Sequence, residues 1–207
     1  MQSLKNKTYC EIEQWLAREV HYLKVGGSNP PLATKKKMAK IVQISDFKGD
    51  YSITMNSFSG AHLQNFINTY EVKYLRDLLG ITLATDLLTD ITTPFTVPTN
   101  TDYLAIFNPL AYDYENTQII SDGIKEMLVG FIYFEYTRFQ KIQNTITGNV
   151  KAENEVSTPA MWGQTNIYHN YNKAIDSYKA IQYHISLNDA NYADYNGVCK
   201  GYTSEFI

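Results

Sequence analysis

The segment that most constrains the fold is a long helical stretch over residues 119–143. Apolar side chains follow a helical period along it: Ile124, Met127, Leu128, Phe131, Phe134, Phe139 and Ile142. The opposite side still carries Tyr133 and Tyr136. A helix that is apolar nearly all round has to be covered on every side. We therefore expect it either at the centre of the subunit core or at an interface between subunits.

Four further stretches have the spacing of amphipathic helices. They are residues 9–24, 60–80, 82–90 and 165–187, and Gly80 lies where a C-terminal cap is expected. The fold class that follows is mainly α. We predict a short bundle of about four or five helices with extended arms.

Three connecting stretches are predicted to be non-helical. Residues 41–47 and 51–55 flank Lys48-Gly49-Asp50, and this pattern predicts a small β-hairpin. Two prolines make residues 92–101 an extended loop. Residues 145–160 are polar and have no helical period, so we expect a protruding loop or hairpin there.

Charge and composition divide the chain into three parts. Residues 1–40 form an N-terminal helix and a basic linker arm, 41–190 a helical domain, and 191–207 an aromatic tail. Residues 1–50 contain nine Lys and Arg against five Asp and Glu, a net charge of +4. The remainder contains nine against sixteen, a net charge of −7. The arm is therefore expected to be a distinct layer on an acidic body.

The lysine run of the arm has two interpretations. It is either a solvated loop or a contact with phosphate or with an acidic partner surface. The candidate residues for such a basic contact are Lys35, Lys36, Lys37 and Lys40.

Tyrosine is unusually frequent, with 17 Tyr against 9 Phe and 2 Trp. A ring with a hydroxyl suits surfaces that are soluble alone and buried in a complex. Biased nucleotide composition in the source is the alternative explanation. The candidate subunit or partner contacts are Tyr133, Tyr136, Trp162, Tyr192, Tyr195, Tyr202 and Phe206. We expect the aromatic tail to become ordered on a partner.

Several functional classes are disfavoured. The longest apolar run, residues 127–134, is far shorter than a membrane helix, and the first ten residues do not have the pattern of a secretory signal. The net charge of −3 gives no overall basic character for nucleic-acid binding.

No motif indicates catalysis. The chain has no Gly-x-Ser-x-Gly elbow, no phosphate-binding glycine loop, no Glu-x-x-His and no closely spaced cysteine pair. Asp86 with Asp90, and Glu135 with Arg138, have the spacing of solvated helix-face residues. We therefore expect no enzyme activity, catalytic residue, metal or cofactor.

Four stretches of the middle of the chain carry a family resemblance. They read ISDFKGDYSI (44–53), FINTYEVKYLRDLLG (66–80), ISDGIKEMLVGFIYFEYTR (120–138) and NTITGNV (144–150). Together they resemble the head–tail connector, or adaptor, proteins of tailed phages of Bacteroides-type hosts, including crAss-like phages. The similarity covers roughly residues 41–160 and rests on helix patterns and Gly and Asp positions. The helix at 9–24 and the tail after 188 are additions to the family pattern.

The resemblance implies a virion structural protein, assembled in the host bacterial cytoplasm. Such a chain forms a ring, usually twelve-fold, beneath the portal protein and above the next tail or ring protein. Genomic DNA passes through the ring without sequence-specific binding, and an acidic body lets it slide. The helix at 119–143 would bury one side in its own bundle and the other against a neighbour, since one copy would have too much apolar surface to cover alone.

Within this scheme, the polar loop would reach a neighbour or the next ring, and the tail would dock on the portal side. Two alternatives stay open at this point: another tail-completion or stopper protein, and a small DNA-binding module.

Overall fold

The computed structural model describes residues 40–53, 57–114, 117–140, 142–145, 148–151 and 161–202. Within these ranges it describes the backbone alone for residues 57–59, 114, 117, 142–145, 148–151 and 161–166. The helix predicted at 9–24 and the lysines Lys35, Lys36 and Lys37 lie outside the described residues.

The described residues form a mainly helical bundle with small antiparallel hairpins, which confirms the predicted fold class. In chain order the elements are α1 (Ser57–Leu79), α2 (Ile81–Asp90), α3 (Thr101–Phe107), β1 (Leu110–Tyr114), β2 (Thr117–Ser121), α4 (Gly123–Gln140), β3 (Ile142–Thr145), β4 (Gly148–Lys151) and α5 (Met161–Leu187). The short helix α3 was not predicted, because seven residues carry too few apolar positions to show a period.

Helix α4 occupies the centre of the bundle, between α1 and α5. Its buried side chains point in every direction and include Phe131, Ile132 and Tyr136. Of the two environments expected for this helix, the structure shows the subunit's own core. The expectation that one copy leaves it half covered is therefore wrong. At the crossing with α5, a Cβ on Gly130 would lie only 3.0 Å from the Cβ of Ala174, so glycine permits this close approach.

The first hairpin is not where the sequence predicted it. It is formed by β1 and β2, paired from Leu110↔Ser121 to Tyr114↔Thr117, and so it contains the first residues of the predicted long helix. The phenol of Tyr112 donates to the carbonyl of Ala180 on α5, at 2.6 Å.

The predicted hairpin at 41–55 is wrong for the described residues of that segment. Two 3-10 turns, Ile44–Asp46 and Gly49–Tyr51, stand there instead. Val42, Phe47 and Tyr51 are buried in the core. These apolar residues are irregularly spaced, so they cannot all lie on one face of a strand. They are buried against the helices instead of forming a pair of strands.

The second hairpin is formed by β3 and β4, with the register running from Ile142↔Lys151 to Thr145↔Gly148. It follows α4 directly and falls at the start of the polar connection, where the sequence predicted a loop or hairpin. Helix α4 accordingly ends at Gln140 rather than at residue 143.

The described part of the aromatic tail packs on its own chain. The amide of Asn196 donates to Leu79 O at 3.4 Å, and the amide of Val198 donates to Asp77 O at 2.6 Å. The phenol of Tyr178 on α5 contacts the carbonyl oxygens of both Asp77 and Val198. For residues 191–202, ordering on a partner is therefore corrected to docking on the C-terminal end of α1 and on α5.

Gly197→Ala is expected to detach this tail. A Cβ at Gly197 would overlap Leu78 O and stand 2.5 Å from the phenol oxygen of Tyr195, a strain of about 1–3 kcal/mol. We expect the amides of Asn196 and Val198 to exchange hydrogen about tenfold faster or more. Gly201→Ala is the matched control, because its Cβ meets nothing within 4 Å. Equal exchange rates in the two variants would contradict the docked tail.

Candidate functional site

Two of the predicted contact tyrosines lie on α4. Tyr136 is 3% exposed and packs edge-on against Phe66 of α1 at 5.5 Å between ring centroids. Tyr133 is half-buried, with its ring 5.8 Å from that of Tyr51. Tyr136 has almost no surface for a partner, so its assignment as an interface residue is corrected to the core.

The predicted contact residues of the tail differ in how far they are buried. Tyr192 is 3% exposed and its phenol donates to Asp102 O at 2.7 Å, so it too is a core residue rather than an interface residue. Tyr195 is half-buried and accepts from the amide of Gln182 at 2.8 Å. Tyr202 is 58% exposed, so its side chain has surface that a partner could contact. The side chain of Trp162 and all of Phe206 lie outside the described residues.

Of the predicted basic residues, Lys40 is described, and it is engaged inside the subunit. Its ammonium donates to Leu88 O at 2.7 Å and to Ile91 O at 3.0 Å, which caps the C-terminal end of α2. Its role as a phosphate or partner contact is therefore corrected to a structural one.

Glu71 of α1 is a buried carboxylate that fixes the start of the described chain. One oxygen accepts from the amide of Lys40 at 2.8 Å, and the other accepts from Ile41 and Val42 at 3.1 and 2.8 Å. Burial raises the pKa of Glu71, while these three backbone hydrogen bonds act in the opposite direction. Because each oxygen is satisfied by backbone donors, Glu71 acts as an anchor rather than a reactive group.

A second buried carboxylate, Glu135 on α4, lies close to three tyrosines. It accepts from the phenol of Tyr74 at 2.8 Å and from the guanidinium of Arg138 at 2.7 Å. Burial, and then the charge of Glu135, raises the pKa values of Tyr70 and Tyr171. Ionisation of these two phenols is therefore disfavoured.

Cations surround these tyrosines at the surface. The ammonium of Lys73 stands 5.3 Å from the ring centre of Tyr70 and 5.4 Å from that of Tyr74. Lys73 and Arg138 are exposed, whereas Tyr70 and Tyr171 are half-buried. We call Tyr70, Lys73, Tyr74, Arg138 and Tyr171 the cation–tyrosine face. The exposed ammonium of Lys73 and guanidinium of Arg138 are groups suited to binding an anion, whereas the phenol of Tyr74 is buried and already bonded to Glu135.

Lys200 of the tail lies at the margin of this face. Its ammonium is 4.9 Å from the ring centre of Tyr74 and 2.8 Å from the carboxylate of Asp77. The docked tail therefore borders the face, and the charge of Lys200 is already balanced.

Tyr103 is a half-buried tyrosine in the first turn of α3. Burial raises its pKa first, and the charges of Asp86, Asp90, Asp102 and Asp194 raise it further. We call these four carboxylates the aspartate face. Asp86 and Asp194 are exposed, while Asp90 and Asp102 are half-exposed.

Asp90 also organises the local backbone. Its carboxylate accepts from the amide and hydroxyl of Thr99, each at 2.6 Å, and from the amide of Asn100 at 2.9 Å. The hydroxyl bond to Thr99 and the amide bonds hold the pKa of Asp90 below its usual range. The loop before α3 is thereby fixed, and α3 with it.

Sequence reasoning treated Asp86, Asp90, Glu135 and Arg138 as ordinary solvated helix residues and did not single out Lys73. The available signal was the Tyr-x-x-Lys-Tyr spacing at 70–74, which places both rings and the lysine on adjacent positions of one helix face. The apposition of this face to Glu135 depends on how α1 packs against α4, which spacing alone does not encode.

In the ranges that the structure describes, no group of three or more His, Cys, Asp or Glu residues could hold a metal ion. Over the same ranges, no helix combines the length and apolar character that crossing a membrane requires.

In the comparisons with known proteins, no family model matches the chain, and no curated protein or solved structure matches it either.

Proposed function

We propose that this chain is a virion structural protein: a head-to-tail connector whose copies form a ring beneath the portal of a tailed phage. Its activity is assembly rather than catalysis, so the working parts are its faces. The ring, dodecameric as the resemblance implies, forms part of the passage for genome ejection and lies between the portal and the next tail or ring protein.

One observation carries the proposal. Three of the four stretches with family resemblance are not scattered over the fold but pack into one unit. Asp46 of the first pairs with Lys125 of the third at 2.9 Å. The rings of Tyr74, from the second, and Phe131, from the third, stack with centroids 4.4 Å apart.

The fourth stretch adds the element that would reach outward. Residues 144–150 include the last two residues of β3 and the first three of β4, and β3 begins two residues after the central helix α4 ends. Each outer edge of a two-stranded hairpin carries backbone groups that a neighbouring chain can pair with. We assign to this hairpin the contact with a neighbouring subunit or with the next ring.

The charge of the chain supports a passive DNA passage. Residues 51–207 carry a net charge of −7, so a duplex beside them is repelled rather than held. The ammonium of Lys40 is hydrogen-bonded to the end of α2 and is not available to bind phosphate. One of the four predicted basic residues is therefore excluded as a DNA contact.

The experiment is to mix the full-length chain with the portal protein of the same phage and to measure mass and class averages by electron microscopy. We expect a closed ring on the portal and gold-labelled antibody at the head–tail vertex of virions. A chain that remains a single subunit with the portal at every concentration would overturn the proposal. A ring located elsewhere in the particle would favour the stopper or tail-completion alternative.

A further inference from the structure

We propose that the loop at residues 92–98 of one copy packs Phe95 against the corner between α1 and α2 of the next copy. The inference rests on the proposed ring and deepens it, because it names the two surfaces that meet between neighbours. Both surfaces belong to the described residues, and neither was predicted as a contact from the sequence.

Phe95 has a backbone conformation that its side chain disfavours. Its φ is +67°, the one positive φ of a non-glycine residue in the ranges that the structure describes. A proline followed by a positive φ is typical of a type II turn, whose second central position is normally Gly or Asn. A phenylalanine at that position is strained, and strain of this kind is characteristic of functional positions.

The loop is held in one shape on both sides of this residue. The amide of Phe95 donates to Lys40 O at 2.6 Å. Three residues later Pro98 is buried, and the carboxylate of Asp90 accepts from both the amide and the hydroxyl of Thr99. The loop is therefore already ordered, and a partner that binds it pays little conformational entropy.

The strained side chain does not serve the core of its own subunit. Phe95 is 43% exposed and Val97 is 53% exposed. Residues 91–101 contain no charged side chain. Fixed, exposed aromatic rings of this kind are the residues that contribute most to binding in protein interfaces. We therefore assign the ring of Phe95 to a contact outside the subunit.

The corner between α1 and α2 is the apolar surface that fits this loop. Ile81, the first residue of α2, is 71% exposed, the largest value among the large hydrophobic side chains that the structure describes. The docked tail lies beside it, because backbone atoms of Asn196 are within 3.1 Å of a Cβ placed on Gly80. Val198 of the tail is 56% exposed. We call Ile81 and Val198 the apolar corner.

The two surfaces match in polarity. Residues 78–85 and 195–199, which form the apolar corner, contain no charged side chain, as is true of the loop. Contact between them removes apolar surface from water on both sides, and neither segment brings a charge into the interface.

The loop and the apolar corner lie at opposite ends of α2. From Ile81 to Asp90 the helix rises about 14 Å, and the loop follows its last residue. Lys40 gives a second measure of this separation. It binds both Phe95 and Glu71, and Glu71 lies eight residues, about 12 Å, before the end of α1.

This separation determines the kind of contact. One copy cannot bring its own loop to its own apolar corner, so each surface needs a different neighbour. A contact between unlike surfaces leaves one of them open on each outer copy. Such heterologous contacts continue from copy to copy and close into a ring when the rotation between neighbours permits.

A nucleic acid does not suit this loop. Binding to a polyanion depends on lysine and arginine contacts to phosphate, and residues 91–101 supply none. A second copy, in contrast, carries the uncharged apolar surface that the loop requires.

The test uses two full-length variants that each remove one surface. Phe95→Gly removes the ring and relieves the strain at φ +67°, so its unfolding temperature should equal or exceed that of the wild type. Ile81→Glu places a carboxylate in the first turn of a helix, where it is tolerated, but opposite an apolar loop in the contact. Each variant should raise the dissociation constant of self-association by about tenfold or more. Leu187→Ala, at a 60% exposed side chain outside both surfaces, is the control.

An equimolar mixture of the two variants tests the head-to-tail arrangement. The Phe95→Gly chain keeps an intact corner and the Ile81→Glu chain keeps an intact loop, so one contact of each pair is native and the other is doubly disrupted. The mixture should form pairs of copies that grow no further, whereas the wild type continues to larger assemblies. Sedimentation velocity of each variant and of the mixture gives the readout.

Four outcomes would count against the inference. Unchanged association of both variants, a mixture that forms no pairs, or a loss of stability in Phe95→Gly would overturn it while the ring and the proposed function stand. Wild-type chain that binds the portal protein through Phe95 but never a second copy would overturn it too, because the partner would be the portal. A wild-type chain that never associates, with or without portal protein, would remove the proposed function as well.

Discussion

Replacing Gly123 by alanine is expected to lower the free energy of unfolding by about 3 kcal/mol or more. Gly123 starts α4 with a φ of +87°, a conformation that L-residues rarely adopt. A Cβ there would also overlap the carbonyl oxygen of Phe107 and stand 2.9 Å from the carbonyl carbon of Asn108. Both obstacles are backbone, so relief requires α3 to move away from the start of the central helix.

Alanine substitutions at two other glycines distinguish the stability cost of backbone strain from the cost of steric overlap. Gly49 has a φ of +59° but open space around its Cβ position, so Gly49→Ala should cost only about 1–2 kcal/mol. Gly60 lies in α1 with open space, and Gly60→Ala should raise stability by up to about 1 kcal/mol. Denaturant unfolding of the three variants gives the order. A Gly123 variant as stable as the Gly49 variant would contradict the close approach of α3 and α4.

The sequence predicted some helices more accurately than others, and the start of α4 at Gly123 is where the prediction failed. Helices α1 and α5 have one apolar stripe each, and their ends were predicted within a few residues. Helix α4 was predicted four residues too long at its start, because Ile119 and Ile120 fit a helical period as well as a strand. The positive φ of Gly123 and the hydrogen bond from its amide to Ser121 Oγ separate β2 from α4, and the Asp122-Gly123 dipeptide was the sequence signal for this turn.

The tail shows why composition misled the prediction of interfaces. Aromatic residues among Gly and Asn are typical of a segment that orders on a partner. Here Tyr192 enters the core instead, and Gly197 allows the backbone to approach Leu78. A glycine that permits such contact cannot be distinguished in the sequence from one that provides flexibility.

The cation–tyrosine face and the aspartate face could not be predicted from the sequence, for a related reason. Tyr74 and Glu135 are 61 residues apart in the chain, and Asn191 and Asp102 are 89 apart. Nothing local to either member of these pairs specifies the other. Spacing placed the tyrosines and Lys73 on one helix surface, but tertiary packing decided what lies opposite them.

Replacing Glu71 by alanine is expected to lower the free energy of unfolding by about 3 kcal/mol or more. The carboxylate is 0% exposed and is the hydrogen-bond acceptor for the amides of Lys40, Ile41 and Val42. Removing it leaves three donors without this partner, and each buried donor left unsatisfied costs about 1–3 kcal/mol. The measurement is denaturant unfolding, with exchange of the Ile41 and Val42 amides as the local readout.

Two further variants test whether the loss of stability comes from the hydrogen bonds of Glu71 rather than from the loss of a carboxylate as such. Glu71→Gln keeps one carbonyl oxygen but turns an NH2 group toward the backbone, so it should cost about half as much as alanine. Glu126→Ala removes a half-exposed carboxylate from α4 and should change stability by less than about 0.5 kcal/mol. The amide of Phe95 donates to Lys40 O at 2.6 Å, so loss of the anchor should also speed its exchange. Rapid exchange at Ile41 and Val42 in the wild-type chain would mean that Glu71 does not hold this segment.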